Sequence, residues 1–404
     1  MSQNDIFNRY SLAGLGATLI GNGIGRFAYI ALMPALIQAG WFSESEASYL
    51  GAATLIGYIF GVPVISLLIR YYSPGQMIRV AMLICSFSYL GCAIESVPIE
   101  WFYLLRTLAG TSGAMLVILA PPMIVRMHSP AIKNKISGVI FSGIGLGVLL
   151  SGTLVPLLIF HSVLSAWLGI GAIALAATCL TWNAWRTELV NESAGVVAGS
   201  FHNLSNPQRT TLALILVAYS LDAIGYLPHT MFWVDFIVRE LEMPFVAGGL
   251  LWASFGVGAI LGPVLAGFMG DRFGVRRALI ASFLFKGVGV ALPMVTHHPI
   301  ALVVSSLLVG IFTPGTVSLV SIYVLESVGY ELHTKSWGAA TLAFAVSQGV
   351  VGYGMAHYAP VLDSYYYLFA VSAGALLIAA SLIALSPKSK LKSTYENALL
   401  QAKE

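Results

Sequence analysis

Apolar runs about as long as a membrane helix recur along the chain, separated by short polar breaks. They fall at 11–38, 47–69, 76–95, 99–126, 136–160 and 163–185, then at 210–237, 246–269, 277–296, 300–325, 337–358 and 364–386. A helix needs roughly 20 such residues to cross the hydrocarbon layer of a bilayer. The pattern therefore predicts an all-α membrane protein of twelve transmembrane helices in two sets of six. The longest break, 186–209, holds Arg186, Glu188, Glu192, Pro207 and Arg209. It divides the chain into an N-terminal bundle (1–185), a linker (186–209), a C-terminal bundle (210–386) and a tail (387–404).

Sliding the chain along itself by 200 residues lays Gly25 on Gly225, Pro63 on Pro263, Gly110 on Gly310, Gly138 on Gly338 and Gly152 on Gly352 without a gap. The same shift registers every expected span. Six spans map onto six in the same direction, which predicts a parallel repeat about an axis along the membrane normal. In such an arrangement a ligand site lies between the halves.

Composition supports the membrane reading: 58% of the 404 residues are hydrophobic and 9% charged, where soluble chains carry about a quarter charged. The net charge of +3 is small, and no basic run interleaved with aromatics points to nucleic acid. Of the 20 lysines and arginines, sixteen fall in breaks or at span ends on the side of the N-terminus and one, Arg239, on the other. That bias predicts both termini in the cytoplasm. The first apolar run is too long for the core of a signal peptide and reads as a permanent span. Cys85, Cys92 and Cys179 lie inside spans without metal or redox spacing, so they read as packing residues.

The other three cations, Arg26, Arg106 and Lys286, fall inside spans. Mid-membrane charge costs about 2.5–3.5 kcal/mol on insertion scales, so each should face a partner, a cavity or a ligand. Asn22, Arg26 and Tyr29 share one helix face by spacing. The shift of 200 lays them on Asp222, Tyr226 and His229, so the two triads should face each other across the axis. Asp222 is expected to be the carboxylate nearest Arg26, able to change partner or proton when a ligand competes. A permanent Arg26–Asp222 ion pair is the structural alternative. His229 is a candidate for substrate or proton, or else a hydrogen-bonded packing residue. Gln348 is either a cavity residue or an interhelical hydrogen bond, and Lys286 reads as a snorkel or local salt bridge.

The stretch from Gly267 to Arg277, with Asp271, Arg272, Arg276 and Arg277, resembles the G-x-x-x-D-R-x-G-R-R loop of the major facilitator superfamily. The resemblance covers nearly all of the chain. It implies that Asp271 partners a helix N-terminus and that the arginines, with Glu326 at the end of the tenth helix, form a cytoplasmic gate. The corresponding loop from Gly61 to Arg79 has arginines but no acidic residue. Arg106-Thr107-Leu108-Ala109-Gly110 resembles the fourth-helix motif linked in the superfamily to proton coupling; holding the fourth helix to the first is the alternative. The first-helix G-x-G-R-F-A-Y stretch, with Ala340–Gly349, is similar to the bacterial YbfB/YjiJ-type group.

The resemblance implies a monomeric inner-membrane secondary transporter working by alternating access. Its cargo is expected to be a small anion or zwitterion held by Arg26, Asn22, Tyr29, Tyr226, His229 and Gln348, with proton coupling through Asp222 and Arg106. A proton-driven exporter of amphipathic compounds is the runner-up, suited by Phe27, Tyr29, Tyr226 and Trp233. A receptor or scaffold that lost transport is the reading from another class. Gly23-Ile24-Gly25 lacks the strand and spacing of a phosphate loop, and no nucleophile–base pair or metal spacing stands out. No enzyme activity, cofactor or metal is expected.

Overall fold

The computed structural model describes residues 6–128, 132–186 and 204–387, and among them every regular element is a helix. The first six are α1 (Arg9–Gln38), α2 (Glu44–Leu68), α3 (Pro74–Gly91), α4 (Ile99–Arg126), α5 (Lys133–Ile159) and α6 (Val163–Thr181). Next, α7 is a broken column: Asn206–Gly225, Leu227–Met231, Trp233–Asp235 and a π turn, Phe236–Glu240. The last five are α8 (Phe245–Phe273), α9 (Val275–Val295), α10 (Pro299–Val328), α11 (Tyr330–Tyr358) and α12 (Tyr366–Leu385).

The polar breaks are helix caps. Ser43 with Glu46, Ser73 with Gln76 and Ser205 with Gln208 each form a capping box at the start of α2, α3 and α7. The serine hydroxyl accepts from a free backbone N–H of the first turn while the third residue's side chain reaches back. Gly274 and Gly329, at φ of 84° and 79°, make the two sharp near-end turns into α9 and α11.

Ten helices among the described residues are long and apolar enough to cross a membrane. Two expected spans fall short of that measure. The 18-residue α3 carries Gln76 and Arg79 in its first two turns, and α7 opens on Asn206, Gln208 and Arg209 before it breaks. Most of the expected linker, including Glu188 and Glu192, and the tail beyond 387 lie outside the described residues. The side chains of Arg126, Lys133 and Lys135 do too.

Pairings recur six helices apart: α2 packs on α4, α3 on α4 and α6, and likewise α8 on α10, α9 on α10 and α12. Glycine makes two equivalent crossings close. A Cβ on Gly57 would stand 2.1 Å from the Thr107 carbonyl oxygen, and one on Gly110 2.0 Å from that of Thr54. In the second set, Gly258 and Gly310 meet the carbonyl oxygens of Leu307 and Phe255 at 2.6 and 2.2 Å. Backbone contact of this kind lets helices associate where lipid removes the hydrophobic drive.

The two sets meet along α5 with α8 and α2 with α11. On the first seam a Cβ on Gly145 would lie 2.6 Å from the Gly256 oxygen, and one on Gly152 2.5 Å from that of Gly249. The second runs from Ile59 against Gly349 at mid-helix to Tyr49, whose hydroxyl is 2.7 Å from His357 Nδ1. Both seams thus extend toward the end remote from the N-terminus, called here the far end. There Arg239 of α7 forms an ion pair with Glu44 of α2.

Candidate functional site

Two helices break at the same depth, one in each set. In α1 the residues Leu19–Ile24 form a π turn, and the amides of Arg26 and Phe27 both reach the Asn22 carbonyl, at 3.3 and 3.1 Å. Gly23 lies against Gly147 of α5, where a Cβ would sit 2.9 Å from the neighbouring Cα. A π turn inside an α-helix is retained chiefly where it positions something. In α7 the break falls at Tyr226, followed at once by Leu227-Pro228, whose proline lacks an N–H.

The breaks bring Arg26 and Tyr226 together. Arg26 Nη2 donates to Tyr226 Oη at 2.5 Å, and Tyr226 Oη donates to Gln348 Oε1 of α11 at 2.6 Å. The two residues lie 200 apart in sequence, so positions equated by the repeat meet. The guanidinium also stands within cation–π range of Phe27 (4.9 Å), Tyr226 (5.5 Å) and Tyr58 (5.9 Å). Phe27 in turn packs on Trp252 and Phe255 of α8. Three buried polar atoms in this cluster, Arg26 Nε, Asn22 Oδ1 and Gln348 Nε2, have no hydrogen-bond partner among the described residues. Two donors and an acceptor are thus buried without a match, at a cost of about 1–3 kcal/mol each.

The expected contact between Arg26 and Asp222 is not made. Asp222 Oδ1 accepts from Lys286 Nζ of α9 at 2.7 Å, and both side chains are buried. The lysine stem reaches the carboxylate within its own set of helices and passes 5.9 Å from the Tyr226 ring. Tyr226, not Asp222, faces the axis. Lys286 is thus in a local salt bridge.

Tyr29 and His229 also turn away from Arg26. The Tyr29 hydroxyl donates to the Ala47 carbonyl at 2.7 Å, and its ring covers Arg106 at 4.8 Å. His229 lies inside the second set, with Nε2 2.8 Å from Ser305 Oγ and its ring stacked on Trp233 at 4.3 Å. Arg106 is buried between the rings of Tyr29 and Tyr89, the latter at 5.1 Å. No carboxylate among the described residues pairs with it, and none of its three nitrogens makes a hydrogen bond of full geometry there. The Tyr89 hydroxyl donates to the Ile24 carbonyl at 2.6 Å and keeps its oxygen lone pairs for the guanidinium, close enough to act as an acceptor.

At the near end, Asp271 sits exposed in the last turn of α8, four residues before α9 begins at Val275. Arg276 holds the C-terminal carbonyls of α12, donating to Ile383 at 3.2 Å and Ala384 at 2.5 Å. Arg272 and Arg277 are exposed, and Glu326 is half-buried near the end of α10. Sequence reasoning missed Tyr58, which carries no charge and sits at an unremarkable place in α2. It also missed Asp235, which the structure buries at the far end beside Arg239.

Residues 18–384 match the family model described as "Uncharacterised MFS-type transporter YbfB". Among solved structures, the chain is similar to that of a mutant of the nucleoside transporter NupG. The TM-score is 0.73 at 13% identity, covering 94% of this chain and 100% of that one. It is also similar to a partially occluded inward open conformation of the xylose transporter XylE from E. coli. There the TM-score is 0.72 at 14% identity, covering 95% and 98%. At such identities the likeness is one of fold.

Proposed function

Since the chain belongs to the family of MFS-type, membrane-embedded transporters described under YbfB, we propose that it is a secondary active transporter whose cargo is a small anion or zwitterion. Twelve spans in two parallel six-helix bundles, 1–185 and 210–386, rock about a midplane site, with the linker 186–209, the tail 387–404 and both termini in the cytoplasm of a bacterial inner membrane. The closed seams at the far end then belong to an inward-facing state.

One observation carries the cargo class. Arg26 is a buried cation at the meeting of the two sets whose hydrogen bond goes to a neutral hydroxyl, and no carboxylate among the described residues pairs with it. With Asp222 neutralising Lys286, the mid-depth charges Arg26 and Arg106 are left over, a surplus of positive charge that an anionic group would balance. A guanidinium with a free Nε and a neighbouring free amide N–H suits a carboxylate or phosphate. Asn22 Oδ1 is the acceptor for a ligand ammonium or hydroxyl. Proton coupling supplies the driving force in this reading.

The rings of Phe27, Tyr58 and Tyr226 around the guanidinium favour a second reading, an exporter of amphipathic compounds. A thermal-shift screen of the purified protein against anionic, zwitterionic, cationic and neutral solutes separates the two, since a ligand of the native fold raises its melting temperature. Stabilisation by an anion, lost in Arg26→Ala, is expected. Stabilisation by hydrophobic cations that persists in Arg26→Ala would replace the first reading with the second.

A further inference from the structure

The far end of α7 holds a charged group that the midplane site does not use. Asp235 is fully buried, although it lies only four residues from the mouth residue Arg239. Its Oδ2 accepts from Arg239 Nη1 at 3.2 Å and from the Tyr365 hydroxyl, while its Oδ1 has no partner among the described residues. The other face of the same guanidinium meets Glu44 of α2, in the opposite set of helices. Glu240 accepts from Ser364 Oγ at 2.5 Å and the Tyr365 amide at 2.9 Å, and is the second carboxylate within electrostatic reach of Asp235. From α1, the Tyr29 hydroxyl is a further titratable group within electrostatic reach of Asp235. The start of α8, which also packs here, is apolar.

One cation is thus divided between two carboxylates, one in its own set of helices and one across the seam. We propose that Asp235 is a proton-binding site at the exterior mouth, and that protonating it releases Arg239 to Glu44 and so latches the exterior closed. The idea rests on the alternating-access reading and its orientation. Oδ1 is the atom that can take the proton without displacing either partner on Oδ2. With Asp235 ionised, Arg239 is held back along α7 and its bond across the seam weakens. With Asp235 neutral, the guanidinium has Glu44 as its remaining charged partner, and the halves are tied at that end. A proton taken from outside would therefore favour the inward-facing state, which is the order of events that downhill proton entry requires.

The test places spin labels at Ser96→Cys and His298→Cys, in far-end loops of the two sets, in a Cys179→Ser background. Distance distributions of the protein in lipid nanodiscs are then read at pH 8 and pH 5. The closed-to-open ratio is expected to rise about fivefold on acidification, the lower end of ordinary site-to-site coupling. Asp235→Asn should be closed at both pH values and Glu44→Gln biased open at both. Glu44→Gln changes a partly exposed helix-start residue, so it guards against a fold lost through the buried site. Two distances whose ratio follows pH equally in native protein and in both variants would overturn the proposal alone, as would two distances insensitive to pH. A single distance under every condition, with and without ligand, would overturn the alternating-access reading itself.

Discussion

Arg106 and Ser306 occupy positions 200 residues apart, as do Ser86 and Lys286, so each half of the molecule places one buried cation where its counterpart has a serine. The halves treat those cations differently. In the second half Lys286 meets Asp222 at 2.7 Å, while Ser306 accepts from Trp233 Nε1 at 2.9 Å. In the first half Arg106 lies between two tyrosine rings with no carboxylate partner among the described residues, and the hydrogen bond of Arg26 runs across the axis to Tyr226. At mid-depth the second half neutralises its own cation, whereas the first half leaves two cations without a carboxylate partner among the described residues. A repeat that doubles the backbone has thus become asymmetric in charge, and the proposed anion site rests on that asymmetry.

The largest effect should come from breaking the closed half. Lys286→Met strands the Asp222 carboxylate in low dielectric and should cost about 3–5 kcal/mol of stability by chemical unfolding in detergent. Replacing both partners, Lys286→Met with Asp222→Leu, should bring stability back to within about 2 kcal/mol of the native value, because a buried pair offsets little beyond its own desolvation. A single substitution that costs nothing would mean that the pair is not the neutral unit described above.

Next in size is the open half's ligand contact. Arg26→Ala should weaken the binding of an anionic solute by about 1.5–3 kcal/mol, the worth of a hydrogen bond to a charged group, read as a ten- to hundredfold rise in Kd by calorimetry. Fold stability should move less than in Lys286→Met. Equal losses of stability in the two would show that Arg26 is also a clasp.

The backbone twins give a comparison in which the halves should agree. Gly110→Ala and Gly310→Ala each push a methyl into a carbonyl oxygen of the neighbouring helix, at 2.0 and 2.2 Å. Each should cost about 1–3 kcal/mol, the range for overpacking, and melting temperatures should fall alike. A large difference would locate strain in one half only.

The smallest effect is expected at Arg106. Arg106→Met loses two cation–π contacts of about 0.5–2 kcal/mol and gains back the desolvation of incompletely paired donors, about 1–3 kcal/mol. Stability should stay within about 1 kcal/mol of native in the same unfolding measurement. A loss as large as that of Lys286→Met would reveal a tie between α4 and its neighbours stronger than the ring contacts.

Much of the fold was legible in the chain because its causes are local. Apolar length sets where a helix can cross, and a serine followed three residues later by Glu or Gln marks where it starts, as at Ser43, Ser73 and Ser205. The third and seventh spans were expected like the others but fall short of the length and apolarity of a membrane helix, since Arg79 and the opening residues of α7 place polar groups inside helices that the pattern alone treats as uniform. The 200-residue shift equated Arg26 with Tyr226, and the two meet; Gln348, singled out by its place on the eleventh span and not by the shift, joins them through the Tyr226 hydroxyl. Whether they bind cargo is for the experiments above.

Partner choice was not legible. Asp222 was expected to neutralise Arg26, yet Lys286 does the pairing, because a lysine stem from α9 reaches the carboxylate inside one set of helices before any group across the axis can. Tyr58 and Asp235 were missed for the same reason: nothing in their local sequence says which helix will lie beside them. Hydrophobic length, glycine spacing and charge bias therefore determined the class of protein, its repeat and the helices that carry its buried charges. Only the packing of those helices decided which charge is cancelled and which is left for a ligand, since Coulomb partners are fixed by distances of a few ångströms that sequence separation does not encode.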